Sequence, residues 1–239
     1  HALAQTIRSN KSTESACKHL LTTCSQLGLP DFLQIDNDAA FTGLGRNKRV
    51  FGQFVRLALY LGIELLFIPP GEPKRNHDVE RVNGLWSGNF WNKNHFVSFR
   101  DFQRKSEKFL SWYDNYAPPI LGGLTVEQAS KQQRCQKLLR RQIAQLPQEL
   151  PLSDGRLHFI RKVDSQGKIQ ILKEQWKVSK SLADQYVWAM LDTGNEELSI
   201  YHRHSLRAQA RLVKQYAYEI DEKVQPLLPQ YRRRWRRVE

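Results

Sequence analysis

Cysteine is scarce in this chain: three thiols in 239 residues, Cys17, Cys24 and Cys135, with no paired spacing among them. Such a set indicates neither a disulfide framework nor a Cys/His zinc site. Cys17 and Cys24 fall in a helical pattern and read as core-packing residues. No apolar run approaches the roughly 20 residues that a membrane helix needs, and no secretory leader is visible. An intracellular protein is the expectation, and the start at His1 without Met reads as a piece of a longer polypeptide. Acids are also short, 24 against 37 Lys and Arg, which leaves a net charge of +13. That excess favours polyanions, because cationic side chains release counterions condensed on nucleic acid. The apolar content of 40% is ordinary, and the length allows two modest domains, each with its own core.

His1–Ile7 alternates enough for a short strand, and Ser12 offers a cap for a helix through Leu27. Gly28 and Pro30 stop that helix, and Phe32–Asp36 reads as a strand followed by a polar loop, Asn37–Arg49. Val50–Leu61 is an apolar helix closed by Gly62, and Ile63–Ile68 a buried strand. The alternation predicts an α/β fold with parallel pairing. Three prolines and Gly71 keep Pro69–Arg75 irregular. A helix then begins near Asn76 and carries Glu80 in its first turns. Another runs from Phe99 to Trp112–Tyr113. Thr125–Gln128 fits a capping box opening a basic helix to about Leu146. From Leu150 the pattern changes: Leu157, Phe159 and Arg161 alternate with His158, Ile160 and Lys162, and short strands follow between turns. These predict a small β-barrel or sandwich separate from the α/β core, and residues 211–239 read as an extended arm.

Two carboxylates stand out, Asp36 at the end of an apolar strand and Glu80 after the proline-rich loop. Asp36 and Asp38 project to one face of a strand, so local geometry does not choose between them. Alone, an Asp at a strand end is commonly a turn or capping residue, and a Glu in a first helical turn a dipole partner. The joint context is more specific. Gly62, Ile63, Pro70, Pro73, Asn76, Val79, Arg81 and Asn83 surround Glu80, with Trp112–Asn115 and Leu121–Thr125 downstream. Together they resemble the catalytic core of the retroviral-integrase superfamily, in particular of bacterial insertion-sequence transposases. Gln185–Ala189 and Leu198–Tyr201 resemble the small β-domain of the same enzymes.

The resemblance implies an RNase H-like catalytic core over residues 1–125 with its first strands missing. A basic helical linker over 126–150, an SH3-like DNA-binding β-barrel over 151–210 and a basic arm over 211–239 would follow. It also implies an Asp, Asp, Glu triad, in which the Asp preceding Asn selects Asp36, with Glu80 as the closing acid. The first Asp has no counterpart: Glu14 and Asp31 are the only acids before Asp36, and neither is on a neighbouring strand. Residues 37–79 separate the two carboxylates, a longer spacing than the family's, and the loop Thr42–Val50 accommodates the extra length at little cost. His77 and Asp38 stand where the family usually has Gly, which bears on loop geometry. The implied cofactors are two Mg²⁺ (or Mn²⁺) ions per active site.

The implied activity is that of a DNA transposase/integrase. It is metal-dependent cleavage and strand transfer of mobile-element ends into target DNA, by a homo-multimer in the bacterial cytoplasm and nucleoid. Accessory transposition proteins are further candidate partners. The candidate DNA contacts begin with Lys74 and Arg75 before Glu80, and His77, Arg81 and Asn83 on its helix. Arg134, Lys137, Arg140 and Arg141 follow on the linker, Arg161 and Lys162 in the β-domain, and Arg232, Arg233, Arg234, Arg236 and Arg237 around Trp235. A run of charge is as often only a solvated face. Trp86, Trp91 and Trp112 read as core or interface aromatics, and His158, His202 and His204 as structural or surface residues. Two alternative readings share these residues: a hydrolytic nuclease of the same fold, and a non-catalytic DNA-binding regulator derived from a transposase.

Overall fold

Ser12 caps the first helix, its Oγ accepting from the Ser15 amide at 3.2 Å, in the computed structural model of the chain. The structure describes residues 3, 12–43, 49–72, 75, 77–133, 135–205 and 207–232; the strand expected at His1–Ile7 lies, apart from Leu3, outside them. The helices are α1 (Thr13–Gln26), α2 (Ala39–Thr42), α3 (Gln53–Tyr60), α4 (His77–Asn89), α5 (Phe99–Asp114), α6 (Val126–Gln132) and α7 (Arg140–Ala144). The strands are β1 (Phe32–Ile35), β2 (Glu64–Phe67), β3 (Arg156–Lys162), β4 (Lys168–Ile171), β5 (Glu174–Lys177), β6 (Tyr186–Asp192), β7 (Glu197–His202) and β8 (Arg211–Ala217). The described residues within 1–11, 18–30 and 76–145 form one unit, and those within 12–17, 31–75 and 146–239 a second.

The second unit is built on a mixed six-stranded sheet in the order β1-β2-β3-β6-β7-β8, beside a two-stranded β4–β5 hairpin. β1, β2 and β3 run parallel, and the remaining pairs are antiparallel. Leu65, Phe67, Leu157 and Phe159 are fully buried, and Phe67 stacks on Phe159 at 5.0 Å. Burying a side chain of that size stabilises by roughly 1.5–3 kcal/mol. α3 buries Phe54, Val55, Leu57, Ala58 and Leu59, as its apolar pattern predicts.

The expectation of a separate β-domain beginning near residue 151 is corrected by this sheet. β3 pairs in parallel with β2, Leu65 opposite Leu157 and Phe67 opposite Phe159, so the strands after Leu150 extend the sheet that holds β1. The expected SH3-like barrel is therefore not a closed module. The apolar edge of β2 supplies the physical reason, since an unpaired ladder of amides and carbonyls beside a buried face is costly. The expected arm is also shorter. Residues 211–217 are the sheet strand β8, paired with β7. Beyond it, Glu222 takes a two-pronged ion pair from Arg56, and Tyr231 is buried against Tyr60 at 5.8 Å. Gly62 makes room for this segment: φ is +72°, and a Cβ there would lie 2.8 Å from the Tyr231 carbonyl.

The first unit is helical. Phe90, almost fully buried, gathers Trp86 (5.1 Å), Phe96 (5.4 Å), Phe102 (5.6 Å) and Phe109 (6.1 Å) around it. Ser98 caps α5, accepting from the Asp101 amide at 3.1 Å. The capping box at Thr125 is present, with Thr125 Oγ1 and Gln128 Oε1 each accepting from the other residue's amide. The single basic helix expected from there to Leu146 is not formed; α6 ends at Gln132 and α7 starts at Arg140. Leu29 donates to the Gln136 carbonyl at 2.9 Å and Leu138 to the Cys24 carbonyl at 3.0 Å, bonds that an intact helix would preclude. Buried Leu138 anchors the segment, and Gly28 (φ +108°) admits it, since a Cβ there would meet Cys135 at 2.4 Å.

Candidate functional site

β1 ends in Ile35, buried, and delivers Asp36, exposed, into the turn that follows. Asp36 Oδ1 accepts from the Asp38 amide at 3.0 Å. Asp38 in turn caps α2, its Oδ1 accepting from the Ala40 amide at 2.9 Å. The two acids that strand alternation left equivalent thus differ: Asp38 is committed to a helix cap, and Asp36 is the exposed one.

The residue between them is held from both sides. Asn37 Nδ2 donates to the Ile68 carbonyl at 2.7 Å, and Asn37 Oδ1 accepts from Arg161 Nη2 at 2.8 Å. Arg161 is 5% exposed. Its remaining donors reach the carbonyls of Gln170 (2.9 Å), Ile160 (2.9 Å) and Ile68 (3.1 Å). Burial lowers its pKa to about 10, and it remains charged at neutral pH. Its charge is met by oxygen dipoles, which is how a buried cation without a carboxylate is tolerated. The expectation that Arg161 contacts DNA is corrected here, because its donors are spent inside the sheet. Its role is to fix the turn that carries Asp36. Leu157, Phe159 and Arg161 share one parity along β3, and that was the signal available in the sequence.

Glu80 lies in the first unit, exposed in the opening turn of α4, with His77, Arg81 and Asn83 also exposed on that helix. Arg75 belongs to the second unit and is tied down. It pairs with Glu72 at 2.7 Å and lies 4.0 Å from the centre of the Tyr186 ring. Tyr186 donates to Glu72 Oε1 at 2.5 Å, and this bond, with the Arg75 pair, holds the Glu72 carboxyl below its ordinary range. Lys162 is exposed and paired with Asp184 at 3.0 Å. Lys137, Arg140, Arg141 and Arg232 are exposed, although no single helical face unites the first three. Lys74, Arg134, Arg233, Arg234, Arg236 and Arg237 lie outside the described residues.

His158 is structural, as expected: buried, its Nε2 donates to Glu64 Oε2 at 2.6 Å while its Nδ1 accepts from Trp188 Nε1 at 3.1 Å. Sequence reasoning missed the surface beside it, where Trp188, Tyr201, His202 and Arg203 line a cavity with Arg75. Among the described residues, no group of three or more His, Cys, Asp or Glu side chains could hold a metal ion. Exposed carboxylates are the right donors for Mg²⁺ or Mn²⁺, but such ions take about six oxygens. The described residues do not by themselves complete a site.

Residues 61–118 match the integrase core domain family, a stretch that takes in β2, the proline-rich loop, α4 with Glu80, and α5. The mixed α/β architecture fits an RNase H-like core of that kind. The match supports a place in the retroviral integrase and transposase superfamily, whose domains act on DNA, generally as polynucleotidyl transferases using divalent metals. No curated protein sequence matches the chain. Among the described residues no helix is long and apolar enough to cross a membrane.

Proposed function

We propose that this chain is the core of a bacterial insertion-sequence transposase, a DNA-joining enzyme whose metal-ligating carboxylates include Asp36 and Glu80. The match of residues 61–118 to the integrase core domain carries the reading. The pinned turn that leaves Asp36 exposed while Asn37 is locked supports it. Bound Mg²⁺ or Mn²⁺ would supply Lewis acidity at the phosphodiester. The protein's own contribution is to hold rigid carboxylates and to present cationic side chains to the DNA backbone, consistent with its net charge of +13. Duplex DNA and further copies of the chain are the proposed partners.

The test is joining of a labelled duplex end to a plasmid in the presence of Mg²⁺ or Mn²⁺. Joined product that disappears in Asp36→Asn and in Glu80→Gln, with duplex binding retained, supports the proposal. Cutting without joining in wild type reassigns the chain as a nuclease. The remaining alternative is a DNA-binding regulator without chemistry. Duplex binding unaffected by either variant, with neither cutting nor joining, would select it.

A further inference from the structure

β6 buries alternate residues, Val187, Ala189 and Leu191, and pairs Ala189 with buried Ile200 of β7, while Tyr186, Trp188 and Tyr201 are half-exposed. Trp188 and Tyr201 are cross-strand partners, and their rings stack at 4.9 Å and 29°. Trp188 is held in place by a polar relay, its indole N–H donating to His158, whose other nitrogen donates to Glu64. The wall is therefore set before any ligand arrives, which lowers the ordering cost of binding.

These aromatics line a cavity of about 630 Å³ together with Arg75 and Arg203. Arg203 is exposed, and among the described residues no carboxylate pairs with it. From Glu197 to Glu219 the chain carries Arg203, Arg207, Arg211 and Lys214 and no acid between them. A concave aromatic wall beside Arg203, with Arg75 at the same rim already paired with Glu72, suits a ligand that is flat and apolar at one end and anionic at the other. A nucleotide has that form, and stacking on aromatic side chains accepts any base. A base inside a duplex has both faces covered and cannot enter a concavity, whereas an unpaired one can.

We propose that this cavity binds an unpaired nucleotide of a DNA strand, its base against the Trp188–Tyr201 wall and its phosphate at Arg203. The inference rests on the DNA-acting reading above and adds a strand-end or distorted-strand site to it.

The experiment compares three fluorescently labelled duplexes: blunt, with a short thymidine overhang, and with an overhang of the same length made of abasic residues. The overhang duplex should bind about tenfold tighter than the blunt one, in the range that base–aromatic stacking supports. The abasic overhang should recover little of that gain. Tyr201→Ala and Arg203→Gln should each reduce the overhang-to-blunt ratio. Arg203→Gln, at an exposed rim position, keeps the test valid if Tyr201→Ala fails to fold. Thymidine overhangs should also quench a tryptophan signal that Trp188→Phe lacks. Equal, tight binding of all three duplexes would overturn the nucleotide site and leave DNA binding standing. Equal gains from thymidine and abasic overhangs would overturn it too, by reducing the effect to phosphate charge. Failure to bind any duplex would instead remove the reading on which it rests.

Discussion

The guanidinium of Arg161 donates to the side-chain carbonyl of Asn37 at 2.8 Å, joining the third strand of the sheet to the turn after the first. A cation that the sequence offers as a surface contact is thus an internal brace beside the exposed Asp36.

Removing that brace should cost stability. Arg161→Met leaves Asn37 and several strand carbonyls without their donor, and each buried unsatisfied group costs on the order of 1–3 kcal/mol. Urea unfolding should show a midpoint well below wild type. Arg161→Lys should fall short of rescue, because an ammonium cannot fan out to the same set of oxygens. A variant with unaltered stability but weakened DNA binding would restore the surface role rejected above.

Asp36 and Asp38 should separate by assay. Asp36→Asn should abolish joining with little loss of stability. Asp38→Ala should lower stability by about 1 kcal/mol through loss of the α2 cap and leave joining far less affected. Paired thermal melts and joining assays on both variants decide it, and the reverse assignment would mean that the exposed acid is not the reactive one.

Asp101 gives a pH signature. Lys105 (2.7 Å) and Arg104 (2.8 Å) donate to it and lower its pKa from an ordinary 3.8 to about 2. A depressed carboxyl stabilises the fold when ionised, so its contribution is complete above about pH 4 and disappears as pH falls through 2. Asp101→Asn should therefore melt a few degrees below wild type at pH 7, and the gap should close between pH 4 and pH 2. A gap that stayed constant over that interval would point to packing in place of charge.

Neutralising Arg232, Arg233, Arg234, Arg236 and Arg237 together should lower the slope of log K against log salt. The expected decrease is about 0.9 for every duplex phosphate that these arginines neutralise in the wild type. Affinity should fall alike for unrelated sequences, since phosphate contacts position a protein without reading bases. An unchanged slope with loss of multimers would assign these arginines to self-association instead.

Much of the α/β order was legible because it is written locally. Ser12, the Gly62 stop after α3, the apolar content of β2 and the Thr125 capping box each act within a few residues. What escaped was set at a distance. The basic run after Gln132 has the composition of a helix, but Cys24 and Leu29 claim its backbone. Alternation identified the strand at Leu157–Lys162 without saying which edge it would join, because β2 and β3 meet across residues 68–155. Arg161 was legible in parity and hidden in chemistry: it shares the face of Leu157 and Phe159, yet a charge on a strand ordinarily points outward. At the candidate site, Asp36 and Glu80 were marked by their sequence context, whereas the Asn37 brace and the aromatic wall at Trp188 depend on partners far along the chain.

The parallel meeting of β2 and β3 also sets an order of events during synthesis. A ribosome releases β1, α3 and β2 first, then the helical stretch, and only afterwards β3, which covers the open edge of β2. Until then the apolar edge at Leu65 and Phe67 has no covering strand, the condition under which nascent chains associate wrongly. A fragment ending before Arg156 would carry that open edge permanently. Dissecting this protein by sequential truncation should yield aggregates where a boundary drawn in space, uniting residues 12–17 and 31–75 with those from 146 onward, would yield a folded unit.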